Sequence, residues 1–200
     1  MTWAALGGLV SYLAAVIVVR SILSRRSRQT RFVVLEFRRW QPAEWVAALI
    51  GVAALVSVAA GAVLAALGHP GPKLATRWQM WTAGTALITA GTGLMAWAQI
   101  SMSSSWRVGL DRDHSTELVK KGPFSVIRNP IYVAMVVVVA GVTLLDFSAV
   151  VAAGWVLVVL FVMWQVRAVE EPFLVHAHGD AYAVWAHEVG RFLPRISLMR

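Results

Sequence analysis

The apolar residues of this chain are gathered into runs long enough to cross a bilayer, and arginine-rich segments separate those runs. A helix needs roughly 20 mostly apolar residues to span the hydrocarbon core. Within that core only helices and closed barrels satisfy their own backbone polar groups. The first run extends from Trp3 to Leu23, with Arg20 near its end, able to snorkel to the interface. The second extends from Glu44 to Leu67, preceded by Gln41-Pro42 and closed by the breaker cluster Gly68-His69-Pro70-Gly71-Pro72. The third covers Trp78 to Ile100, and a polar stretch from Ser101 to Asn129 follows it. The last apolar region, Ile131 to Val166, is too long for one helix and is interrupted by Asp146 and Ser148. It reads as two helices joined by a tight turn at Leu145-Asp146-Phe147-Ser148, the first arm short for a full span. The expectation is an all-α integral membrane protein of five transmembrane helices, the last two a helical hairpin. A chain of 200 residues allows one such domain.

Composition agrees. Hydrophobic residues make up 58% of the chain, against about 45–50% in ordinary soluble domains. The net charge of +8 would suit a nucleic-acid binder, but the arginines sit in short segments between apolar runs, where topology signals belong. No nucleic-acid partner is expected. Arg20, Arg25, Arg26, Arg28, Arg31, Arg38 and Arg39 face a single acid, Glu36, which puts that segment in the cytoplasm. The N-terminus and the Gly68–Arg77 loop then fall outside. The Ser101–Asn129 loop and the C-terminus fall inside, with Arg107, Arg112, Lys120, Lys121, Arg128, Arg191, Arg195 and Arg200. Trp3, Trp40, Trp45, Trp78, Trp81 and Trp106 lie near the expected helix ends, where indoles favour the headgroup layer. Met1 to Val10 has no basic n-region, so a secretory signal peptide is not expected. The absence of cysteine excludes a disulfide framework, a thiol nucleophile and a Cys-ligated metal. No long internal repeat suggests the inverted-repeat transporter plan.

Two polar segments are richer than connectors require, and both fall on the cytoplasmic side. The first is Leu118-Val119-Lys120-Lys121-Gly122-Pro123-Phe124-Ser125-Val126-Ile127-Arg128-Asn129-Pro130-Ile131-Tyr132. Gly122-Pro123 forces a turn that leaves backbone groups free to meet a ligand. Arg128 is a fixed cation suited to a carboxylate. Pro130 biases Asn129 to an extended conformation and can open a helix. Tyr132 then lies in the first turn, near free N–H groups that favour an anion. The same features also fit a plain positive-inside loop followed by a helix start. The second segment is Arg167-Ala168-Val169-Glu170-Glu171-Pro172-Phe173-Leu174, continuing to Gly179, Tyr182, Trp185, Arg191 and Pro194. Arg167 stands about one turn before Glu170 and Glu171, within reach of an ion pair along the helix. Charges here are functional candidates if they face the bundle; otherwise they mark a helix leaving the membrane.

Gly122-Pro123-Phe124, then Arg128-Asn129-Pro130-Ile131-Tyr132, then Glu170-Glu171 with Leu174, Gly179, Tyr182 and Arg191 to Pro194 resemble the isoprenylcysteine carboxyl methyltransferase family and the related phospholipid methyltransferases. The resemblance covers Leu94 to Pro194. It divides the domain into N-terminal transmembrane helices, about residues 1–93, and a methyltransferase-like region, residues 94–200. It implies an integral membrane enzyme that uses S-adenosylmethionine to methylate a lipophilic acceptor. Leu118, Val119, Gly122, Pro123 and Phe124 would wrap the adenosine. Arg128, Asn129 and Tyr132 would lie near the methionine end, and Glu171 would hold the cofactor from the last helix. Arg167 and Glu170 would face the acceptor, Arg167 suiting a carboxylate and Glu170 an amine. Asn129 departs from the family's usual His and cannot titrate near neutral pH. Trp185 replaces a common tyrosine. The expected partners are membrane lipids and a lipophilic small molecule. No metal is required: His176 and His178 are two apart and do not share a helix face, and Asp111, Asp113 and His114 read as a solvated loop. The competing readings are a nicotinamide-dependent membrane reductase of sterol-reductase type, which shares an Arg-x-Pro-x-Tyr loop, and a non-catalytic membrane protein that keeps the fold.

Overall fold

In the computed structural model the described residues are 4–27, 39–69, 77–102 and 118–195. They form an all-helical arrangement: α1 (Ala4–Ser27), α2 (Pro42–Ala66), α3 (Arg77–Met102), α4 (Pro130–Leu145), α5 (Ala149–Trp164), α6 (Glu171–His178) and α7 (Asp180–Glu188). A π-helical turn, Gln165–Glu170, joins α5 to α6, and a short 3-10 turn, Gly122–Ser125, lies in the loop before α4.

Local chemistry sets the helix ends. Pro42 occupies the first position of α2, and the Gln41 N–H donates to Glu44 Oε2 at 2.8 Å. Ser148 caps α5 by accepting from the Val151 N–H at 3.2 Å. The expected hairpin is present, with α4 and α5 joined through Asp146–Ser148. Trp155 fastens it by donating its indole N–H to the Val136 carbonyl at 3.1 Å.

Three helical segments are long and apolar enough to cross a membrane: Leu6–Leu23, Pro42–Ala66 and Ala149–His178. Helix α4 is apolar but has 16 residues, about 24 Å at ~1.5 Å per residue. Helix α3 has 26 residues, but its threonines with Gln79 and Gln99 leave it outside that set. The last helix runs further than the sequence suggests, because it does not stop at Val166. Pro172 has no N–H and its ring would strike the carbonyl four residues back. The chain answers by widening the preceding turn, where the Glu171 N–H bonds to the Val166 carbonyl, five residues back.

The helices meet through small residues. A Cβ on Gly84 would stand 2.8 Å from the Gly141 carbonyl oxygen, and one on Gly141 would stand 2.6 Å from that of Gly84. This brings α3 and α4 into backbone contact, as expected where lipid removes any hydrophobic drive between helices. Helices α2 and α5 meet at Gly154, against Val58, and at Gly61, against Val151. The Ser57 hydroxyl adds a 2.7 Å bond to the Val150 carbonyl. The side chains facing lipid, such as Leu49, Val52, Leu55, Val56 and Leu160, are exposed.

Candidate active site at the end of the hairpin

The loop of residues 118–129 is shaped by Gly122. Its φ is +62°, a left-handed conformation, and its α-carbon lies so close to Ser101 Oγ and Trp97 Nε1 that a side chain would collide with them. Pro123 follows as the second residue of the 3-10 turn, and Phe124 is buried against Ala98, Tyr182, Trp185 and Val189. Leu118 and Val119, half-buried, pack on the same cluster.

Beyond the turn the chain joins the C-terminal segment. Ile127 and Gly190 form a parallel bridge, the Arg128 N–H donates to the Gly190 carbonyl at 2.8 Å, and the Asn129 N–H donates to that of Arg191 at 3.2 Å. The Asn129 side-chain amide donates to the same Arg191 carbonyl at 3.1 Å. Asn129 is buried, and its amide nitrogen is committed to holding the tail. Replacing it with Asp puts a carboxylate against a carbonyl. Asn129→Asp is expected to destabilise by about 1–3 kcal/mol and to free the tail from residue 189 onward to proteolysis. Thermal unfolding with limited proteolysis in detergent checks both.

Glu171 is the hub of the site. Arg191 grips it with Nε to Oε1 at 2.9 Å and Nη2 to Oε2 at 2.7 Å, a bidentate arrangement. Arg128 Nη2 reaches Oε1 at 3.1 Å. The Arg128 and Glu171 side chains are 10% and 13% exposed, so the pair is largely out of water. The Arg128 guanidinium stands 5.9 Å from the centroid of the Tyr182 ring, and Tyr182 packs edge-on against Trp185. Burial, reinforced by the Glu171 charge, pushes the Tyr182 phenol up to about 12, so it stays a neutral hydrogen-bond donor at physiological pH. The bond to Glu171 raises the Arg191 guanidinium further.

Tyr132, in the first turn of α4, faces Glu170 and Gln165 of the π turn. Glu170 Oε2 is buried with no hydrogen-bond partner, and so is Arg128 Nε. An anion acceptor and a cationic donor are thus both left open in one cluster. That complements an α-amino acid head, which carries an ammonium and a carboxylate. The residues present therefore fit the methionine end of S-adenosylmethionine.

The structure brings Arg128, Tyr132, Glu170 and Glu171 together, with Asn129 immediately behind them. Arg167 does not join them. It is exposed and makes no ion pair with either glutamate among the described residues, because the widened π turn breaks the regular helical spacing and Glu171 is already taken by Arg128 and Arg191. The sequence reading placed Tyr182 and Arg191 in the second motif segment but gave them no role, and it did not name Gln165. Arg191 lies 20 residues from Glu171, and no local spacing links them. A cavity of about 250 Å³ lies between Gln41 and Glu44 of α2 and Val169, Pro172, Phe173 and His176 of the last helix, and none of Arg128, Tyr132, Glu170 or Glu171 lines it. Asp111, Asp113 and His114 lie outside the described residues.

The fold and site define a helical membrane protein with a charged, part-desolvated cluster where a helical hairpin meets its connecting loop. The family model for phospholipid methyltransferase matches residues 79–181. The chain belongs to that family, in agreement with the motifs of the loop and the paired glutamates. The match takes in α3 as well as the hairpin, and it ends before Arg191. Among the curated proteins none matches the chain.

Proposed function

We propose that the protein transfers a methyl group from S-adenosylmethionine to a lipophilic acceptor at the cytoplasmic membrane face. The observation that carries this reading is the pair of open groups, Arg128 Nε and Glu170 Oε2, held in one buried cluster by Glu171, Arg191 and Tyr132. When bound, the cofactor supplies an electrophilic methyl on a sulfonium, so the protein need only bind, align and desolvate the reactants. Arg128 meets the carboxylate of the methionine end. Glu171 and Arg191 keep the Arg128 fork in place. Leu118, Val119, Gly122, Pro123 and Phe124 surround the adenosine.

Glu170 Oε2 meets the ammonium of the same methionine end, rather than the acceptor. In this reading Arg167, exposed one turn earlier, meets the acceptor's anionic group at the interface. The cavity beside Val169, Pro172 and Phe173, which Gln41, Glu44 and His176 also line, has room for part of a hydrocarbon chain on the acceptor. Arginine asymmetry supports the topology: helices α1 to α5 as five spans, the N-terminus outside, and the loop and C-terminus in the cytoplasm. Calorimetric titration of the detergent-purified protein with S-adenosylmethionine or S-adenosylhomocysteine tests the reading. Saturable binding is expected, and no heat of binding at millimolar ligand rules it out.

A further inference from the structure

Gln99 is wholly buried in α3, at 0% exposure, and neither its amide oxygen nor its amide nitrogen has a hydrogen-bond partner. A buried amide with both ends unpaired is costly, and an apolar side chain of the same volume would avoid that cost. Such a group is explained by something that comes to pair with it. Its surroundings say what. The preceding residue, Ala98, belongs to the cluster of Phe124, Tyr182, Trp185 and Val189, against which Met102, Leu118, Val119 and Ile131 pack. Met95, one turn earlier, lies against Ala134 and Val138. Gln99 thus lies on the stripe of α3 that carries Met95, Ala98 and Met102, whose packing partners are mostly apolar and aromatic. The charged groups begin at the far side of that cluster, where Arg128 stands against the Tyr182 ring. In the same cluster the Trp185 indole N–H is also buried and unpartnered.

We infer that Gln99 is the residue that recognises the adenine ring of the cofactor, an assignment that rests on the S-adenosylmethionine reading above. An amide presents a donor and an acceptor side by side, and adenine offers the matching pair at its 6-amino group and the adjacent ring nitrogen. A flat neutral ring suits this mostly apolar stripe, whereas an amino-acid head does not. The remaining ring nitrogens are acceptors for an N–H donor such as that of Trp185. Leu118 and Val119, only half-buried, pack on the same cluster and would flank the ring.

The test is calorimetry on the full chain in detergent with two ligands, S-adenosylhomocysteine and its analogue carrying purine without the 6-amino group. Wild type is expected to bind the adenine compound about 10-fold more tightly, the worth of one hydrogen bond to a buried partner. Gln99→Leu is expected to bind both equally, within about 2-fold. It should also retain or exceed the wild-type unfolding temperature without ligand, since it removes an unpaired amide. Discrimination that survives in Gln99→Leu overturns the inference and leaves Gln99 solvated by an internal water. Should that variant not fold, wild type alone decides: no preference between the ligands overturns the assignment. Absence of binding by wild type to either ligand instead overturns the cofactor reading itself.

Discussion

Glu171→Ala is expected to destabilise the protein by about 3 kcal/mol or more and to abolish binding of S-adenosylhomocysteine. Glu171 receives Arg191 through two bonds and Arg128 through a third. Its removal leaves Arg128, only 10% exposed, as an uncompensated buried charge, and breaking a buried pair in this way typically costs about 3–5 kcal/mol. In the proposed reading Arg128 also meets the ligand carboxylate, so stability and binding fall together. Arg191→Ala provides the contrast. The Arg191 side chain is 35% exposed and water takes over much of its role, so its loss is expected to cost nearer 1 kcal/mol. Thermal unfolding and calorimetry of the two variants side by side give the ranking. Equal losses would mean that Glu171 acts through Arg191 alone and that Arg128 is held by something else.

The second large effect belongs to the seam between α3 and α4. Gly141→Ala places a methyl 2.6 Å from the Gly84 carbonyl oxygen and 3.0 Å from the Ile88 backbone nitrogen. Both atoms are backbone and cannot swing aside, so the helices must separate. Overpacking of this kind costs about 1–3 kcal/mol, with the upper end expected here because two helix backbones must move. Gly93→Ala is the control. No atom lies within 4 Å of the added Cβ, and alanine favours a helix interior over glycine by up to about 1 kcal/mol. Gly93→Ala should therefore unfold at the wild-type temperature or slightly above it, and Gly141→Ala well below it. Helix α3 also carries Trp97 and Ser101, against which Gly122 is set. A separated seam therefore disturbs the loop around Gly122 as well, and, if that loop holds the cofactor as proposed, Gly141→Ala should weaken ligand binding even where it remains folded.

Much of this was legible in the chain because it depends on short-range rules. Helix positions follow from where the apolar runs start and stop. The break at Asp146 and Ser148 follows from a cap residue between two such runs, and the structure puts Ser148 at that cap. The motif residues around Gly122 and Pro130 set local backbone geometry, so their turn and helix start were readable before any contact was known. The paired glutamates with Pro172 carried a further signal that is easily overlooked. A proline inside an apolar helix must be accommodated, and here the chain does so by a π turn rather than by ending the helix.

Other features depend on which elements meet, and no spacing along the chain encodes that. Arg167 and Glu171 look like partners at helical distance, yet Glu171 pairs with Arg128 and Arg191, brought from the loop and the tail. Asn129 reads as a polar loop residue, and only the fold shows that its amide nitrogen holds the Arg191 carbonyl. Gln99 looks like one polar residue among the threonines of α3, and only the tertiary arrangement leaves its amide buried with neither end paired. By itself, then, the sequence determined the helices, the hairpin and the loop that carries the motifs, because hydrophobic period, proline and glycine act locally. Which charges pair, which amide serves as a latch and which is left open was decided by the folded structure alone, because desolvation and partner geometry exist only once distant segments are packed together.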